Sequence, residues 1–144
     1  MTLNEIGSIV EMEWIKTPGL RTDMNLTLDE YVVMPNHFHG IIFIGDNEYN
    51  RNLDGRRGRD SMHCVSTKPD TGANKFGPQS KNLGSITRGF KSAVTTQARI
   101  INPAFGWQAR YHDHIIRDHA LFLRIQHYII NNVKNWKDDK FFGE

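Results

Sequence analysis

One cysteine, Cys64, stands in 144 residues, so no disulfide can close within the chain and a reducing, cytoplasmic setting fits. No apolar run approaches the roughly 18 residues that a membrane-spanning helix needs, and no signal peptide opens the chain. Neither sign of charge is in large excess, with 18 Lys and Arg against 16 Asp and Glu. The formal net charge is +2, too mild by itself to argue for nucleic acid. A chain of this length holds one domain (1–144), with room for a single core between packed layers.

What is present is concentrated in a few short stretches. Met34-Pro35-Asn36-His37-Phe38-His39 opens the apolar run Gly40-Ile41-Ile42-Phe43-Ile44. Side chains alternate along a strand, so His37 and His39 project to one face while Phe38 points into the core behind them. Two imidazoles so placed can share one divalent cation; a pair of polar residues on the open face of a half-buried strand is the plainer alternative.

Asp118 to Trp136 carries Leu121, Phe122, Ile125, Ile129, Val133 and Trp136 at helical spacing. Asp118 is the expected N-cap. Asn132 falls inside the apolar stripe, and Tyr128 lies on its flank one turn earlier. A buried amide is costly unless it is bonded or coordinated. A helix C-cap would be the ordinary role for Asn132, but Val133 lets the helix run on through Trp136.

The rest of the chain supplies a frame. Leu3 to Lys16 reads as a helix with Ile6, Ile9, Val10 and Trp14 on one face, stopped by Pro18-Gly19. Met24–Met34 and His37–Ile44 read as a β-hairpin turned at Pro35-Asn36. Residues 46–81 are polar and aperiodic, a long surface loop. Leu83–Ile101 is a helix with Ile86, Phe90, Val94, Gln97 and Ile101 facing the core, and Trp107–Ile116 is a strand leading into the last helix.

His37-Phe38-His39 followed far downstream by Tyr128-Ile129-Ile130-Asn131-Asn132 resembles the single-tyrosine HUH-type transposases, closest to their REP-associated tyrosine transposase branch. Leu28 to Asn36, Leu83-Gly84-Ser85-Ile86 with Gly89-Phe90-Lys91-Ser92, and Trp107-Gln108 with His114-Ile115-Ile116-Arg117 agree in order. The resemblance implies an α+β fold of ferredoxin-like βαββαβ type, an antiparallel sheet with helices on one face plus a C-terminal catalytic helix. The resemblance implies that the family's first strand, ahead of the Leu3–Lys16 helix, is missing here. It implies Tyr128 as nucleophile and His37, His39 and Asn132 as metal ligands. Mixed nitrogen and oxygen ligation suits Mg²⁺ or Mn²⁺.

The implied reaction cleaves single-stranded hairpin DNA, joins Tyr128 to a 5′ phosphate and releases a 3′ hydroxyl for later rejoining. A phenol is mostly protonated at neutral pH, so such a nucleophile needs help. Tyr111, on the expected strand, is a rival; Tyr31 and Tyr49 have less support. Arg88, Lys91 and Arg99, with Thr95 between them, lie off the apolar stripe of their helix and suit phosphate contacts. Arg110 and Arg117 flank the strand near the site, and Arg56, Arg57 and Arg59 lie in the polar loop. His112 and His114 read as surface residues or DNA contacts, and His63 and Cys64 carry no assignment. The implied setting is the cytoplasm, associated with the nucleoid, as monomer or homodimer and away from membranes.

Overall fold

The computed structural model describes residues 2–50, 81–108 and 112–136. Among these residues three helices and a two-stranded antiparallel sheet make an α+β fold: α1 (Glu5–Leu20), β1 (Leu26–Val33), β2 (Phe38–Ile44), α2 (Leu83–Ile101) and α3 (His119–Asn132), with a short 3-10 turn at Thr22–Met24. Among the described residues no helix is long and apolar enough to cross a membrane.

Helix α1 starts where Asn4 accepts a hydrogen bond from Gly7 N at 2.7 Å. Pro18 does not stop it, contrary to the expectation from sequence. The helix runs on to Leu20, with Pro18 inside it and the carbonyl of Pro18 accepting from Arg21 N at 3.1 Å. Pro18 sits in the final turn, where a missing N–H costs little further helix; the Thr17 hydroxyl donates to the Glu13 carbonyl at 3.0 Å in the turn before. Helix α2 occupies the expected span and begins with a reciprocal Asn82–Ser85 capping box. Its buried residues are Ile86, Phe90, Val94 and Ala98. Ile101 is exposed, contrary to expectation, because the stripe closes on Ala98 and the helix ends three residues later.

The hairpin pairs Val33 with Phe38, Val32 with His39 and Tyr31 with Gly40, then breaks register before Leu28 pairs with Ile42. Phe38 packs edge-on to Trp14 (ring centroids 4.9 Å apart) and against Phe90 (5.3 Å), and Trp14 meets Phe90 at 5.4 Å. These rings join Val10, Val33, Val94 and Ala98 in the main core. Such aromatic pairs add about 0.5–1.5 kcal/mol each beyond burial.

Odd-numbered β2 residues face the other way. Phe43 meets Phe122 at 5.8 Å and His39 meets Tyr128 at 5.4 Å, so α3 covers the face opposite to α1 and α2. Helices therefore lie on both faces of the sheet. Helices α1 and α2 share one face and the C-terminal helix takes the other; β2 is apolar on both sides, with Ile41 buried and Ile42 packed toward the main core.

Two further expectations change. The described part of Trp107–Ile116 contains no strand. Trp107 instead donates its indole N–H to the Lys91 carbonyl at 3.1 Å and packs on Phe90 at 5.8 Å, which ties the segment to α2 rather than to a sheet edge. Helix α3 ends at Asn132, four residues short of Trp136. Lys134 N and Asn135 N bond back to Asn131 O, and Asn135 N also to Asn132 O; the shorter spacings tighten the chain out of α geometry.

The stem of the polar segment is anchored. Asn47 is buried and donates to Met24 O (3.0 Å) and Gly45 O (3.1 Å). Tyr49 Oη donates to Asp23 at 2.7 Å, and Lys81, on the far side of the segment, pairs with the same carboxylate. Lys81 and Tyr49 hold the Asp23 carboxyl below its usual range. Residues 51–80, with Arg56, Arg57, Arg59, His63 and Cys64, lie outside the described residues.

Candidate functional site at the hairpin turn

Met34 N donates to His37 O at 2.9 Å and closes the Pro35-Asn36 turn. His37 sits just ahead of β2, and His39 within it, with ring centroids 4.9 Å apart and edge to face. His37 Nδ1 lies 2.8 Å from Asn36 Oδ1, a contact that orients the imidazole. The same-face projection expected from strand alternation is present in the structure.

Helix α3 lies above this pair. Asp118 caps it by accepting from Leu121 N at 2.8 Å, as its position in the sequence predicts. Tyr128 meets His39 at 5.4 Å, edge to face, and Trp136 meets His37 at 5.7 Å. Asn132 stands one turn after Tyr128, on the same side of α3. Its side chain is 3% exposed, and its Oδ1 has no hydrogen-bond partner among the described residues. The phenol of Tyr128 is on the open side; the residue is 51% exposed. His37, His39 and Tyr128 thus meet at one end of the hairpin, and Asn132 is buried one turn after Tyr128 on the same helix.

Other tyrosines lie elsewhere. Tyr31 points to the α1 side of the sheet and donates to Glu11 at 3.0 Å; burial, then this hydrogen bond, raises its pKa. Tyr49 is bound to Asp23, and bonds to Glu48 and Asp23 push its phenol far above the ordinary range. Tyr111 lies outside the described residues. Among the described residues no cluster of three or more His, Cys, Asp or Glu is present.

The basic residues divide between places. Arg88, Lys91 and Arg99 line the outer face of α2 with Ser92, Thr95 and Thr96. Lys91 Nζ stands 5.4 Å above the Trp107 ring and 3.5 Å from Gln108 O, and Arg99 Nε donates to Phe105 O at 3.1 Å. Because α2 and α3 cover opposite faces of the sheet, this row is on the far side of the sheet from Tyr128. Arg117 is exposed just ahead of α3, His112 and His114 are exposed in the same approach, and Arg110 lies outside the described residues.

Sequence reasoning missed two participants. Gln126, two residues before Tyr128, donates to Asp29 on β1 at 3.0 Å. Trp136 was placed in the apolar stripe but not beside His37. No short-range pattern joins Asp29 to Gln126, which stand 97 residues apart.

An α+β domain with two histidines on its hairpin and a tyrosine of its last helix against them is the class that fold and site define. The chain is 35% identical over 143 residues to an uncharacterized protein of Haemophilus influenzae, an alignment covering 99% of this chain and 72% of that protein. The chain belongs to the same family as that protein. No family model matches the chain, and no solved structure matches it.

Proposed function

We propose that the protein is a DNA transposase of the single-tyrosine HUH class, which binds single-stranded hairpin DNA and cuts and rejoins it through Tyr128. The observation that carries the reading is the meeting, from distant parts of the chain, of His37, His39 and Tyr128 at the hairpin turn, with Asn132 buried one turn after Tyr128. The element order of helix, hairpin, helix and final helix supports a ferredoxin-like arrangement.

The donor set fits a divalent cation. A buried amide oxygen without a partner costs about 1–3 kcal/mol, and among the described residues Asn132 Oδ1 is such an atom, one turn from the tyrosine that meets His39. His37, His39 and Asn132 would hold Mg²⁺ or Mn²⁺, which when bound polarises a phosphate oxygen and offsets charge growing at phosphorus.

The chain's own groups do the rest. Tyr128 presents a solvent-accessible phenol, braced by the edge of His39. Its oxygen attacks phosphorus; the bond from phosphorus to the 3′ oxygen breaks, and the phenolic proton is exchanged, through solvent, for one on the departing 3′ hydroxyl. One phosphodiester replaces another, so a second strand's 3′ hydroxyl can reverse the step without an energy source. Arg88, Lys91 and Arg99, and Arg117 ahead of α3, take backbone phosphates, with Arg110 assigned from sequence alone. The reading places the protein at the nucleoid in the cytoplasm, as monomer or homodimer.

The test is a covalent-adduct assay. Labelled single strands from the flanks of the gene are mixed with protein, with and without Mn²⁺, and resolved on a denaturing gel. A metal-dependent adduct is expected, absent in Tyr128→Phe while DNA affinity stays within a few-fold. Binding without an adduct would overturn the enzyme in favour of a relative that holds nucleic acid without cutting it.

A further inference from the structure

We infer that Asp29 and Gln126 are a positioning pair that sets the rotation of α3 over the histidines, an inference that rests on Tyr128 acting as the nucleophile. The ladder between β1 and β2 skips between Leu28, paired with Ile42, and Tyr31, paired with Gly40. Asp29 and Glu30 therefore share one opposing residue, Ile41, in a bulge that re-aims a side chain out of the ordinary alternation. The carboxylate of Asp29 is fixed first by its own neighbour, Glu30 N, which donates to Oδ1 at 2.7 Å. The same oxygen accepts from Gln126 Nε2 at 3.0 Å.

Among the described residues apolar contacts also hold α3 down: Ile129 is buried, and Phe122 lies on Phe43. Apolar burial is non-directional, so it keeps a helix on a sheet without fixing its rotation. A slip of one residue would move the helix by 1.5 Å and turn it by about 100°. That displacement carries Tyr128 off His39. A directional bond anchored in a bulge, two residues from Tyr128, opposes it. The requirement is for an acceptor at position 29, not for its charge, since both donors are neutral amide N–H groups.

The test compares Asp29→Ala, Gln126→Ala, the double variant and Asp29→Asn. Each alanine variant is expected to slow adduct formation about ten-fold or more, since misplacement of about 1 Å can cost a hundred-fold, with DNA affinity within two-fold. The double variant should be no slower than either single one. Asp29→Asn keeps the accepting oxygen and should restore the wild-type rate. Nuclear Overhauser contacts between the Tyr128 and His39 rings, read in protein without DNA, should weaken in the alanine variants and persist in Asp29→Asn. Unchanged ring contacts and rate in Asp29→Ala would overturn the inference, as would Asp29→Asn falling as far as Asp29→Ala. Wild-type protein that forms no adduct would sink the enzymatic reading, while the ring contacts would still decide the positioning of α3.

Discussion

Glu13 and Gln97 join side chain to side chain across the α1–α2 interface, with Gln97 Nε2 donating to Glu13 Oε1 at 2.9 Å. Glu13 is 6% exposed, and the same oxygen receives Lys16 Nζ at 2.9 Å. A carboxylate at a helix–helix seam would be costly alone; two donors from two directions make it a polar tie between the helices. Gln97, expected on the core face from helical spacing, is there because Glu13 gives it a partner.

The hydrogen bond from Gln97, then that from Lys16, holds the Glu13 carboxyl below its ordinary pKa of 4.5, against the opposing pull of burial. A folded pKa below the unfolded one means that the stabilisation is complete above the unfolded value and is lost as pH falls through the folded value. Wild-type protein should therefore lose melting temperature as pH drops below about 4.5, more steeply than Glu13→Gln. At neutral pH Glu13→Gln should be less stable by about 1 kcal/mol, and the gap should close in acid. A constant gap across thermal melts from pH 7 to pH 3 would show that the charge on Glu13 contributes nothing.

Gly40 makes the second prediction. A Cβ at this position would stand 2.7 Å from Trp14 Cζ2 and 3.0 Å from Phe38 Cζ. Trp14 cannot retreat freely, since Phe38 and Phe90 flank it. Gly40→Ala should destabilise the fold by about 1–3 kcal/mol in chemical denaturation, as overpacking does. Adding Trp14→Phe to Gly40→Ala should recover part of that loss, because the smaller ring vacates the contested space. Failure of the second change to help would place the clash elsewhere.

These contacts divide along the line between local and distant information. The two imidazoles share a face because strand alternation is a two-residue property, and Asn132 is buried because helical periodicity is a four-residue one; both were legible. The span of helix α2 was legible from Leu83 to Ile101, although its Asn82 cap was not read and Ile101 is exposed. The side of the sheet that α3 covers was not, because β2 is apolar on both faces and its sequence does not rank them. Nor was the Trp107 segment, where apolar alternation is equally served by a strand and by an aromatic ring docked on α2. Pro18 misled for a positional reason: in a final turn its missing N–H no longer ends the helix. The tie between Asp29 and Gln126 depends on a bulge and on a helix far downstream, and neither end announces the other.

The row on α2 yields the last prediction. Arg88, Lys91 and Arg99 occupy one outer face, and two of the three are held in place before any ligand arrives: Lys91 over Trp107 and against Gln108 O, and Arg99 on Phe105 O. Side chains already ordered lose less freedom on meeting a phosphate. For single strands, each phosphate neutralised contributes about 0.7 to the slope of log affinity against log salt. Replacing Arg88, Lys91 and Arg99 together by Ala should therefore flatten that slope by about 2 in fluorescence anisotropy titrations with single-stranded DNA. The loss should be similar across unrelated sequences, because phosphate contacts carry no base information. The melting temperature should barely move, since Arg88 and Arg99 are exposed and Lys91 only half-buried. An unchanged slope in a folded triple variant would remove α2 from the DNA path and leave Arg117, on the approach to Tyr128, as the next cation to replace.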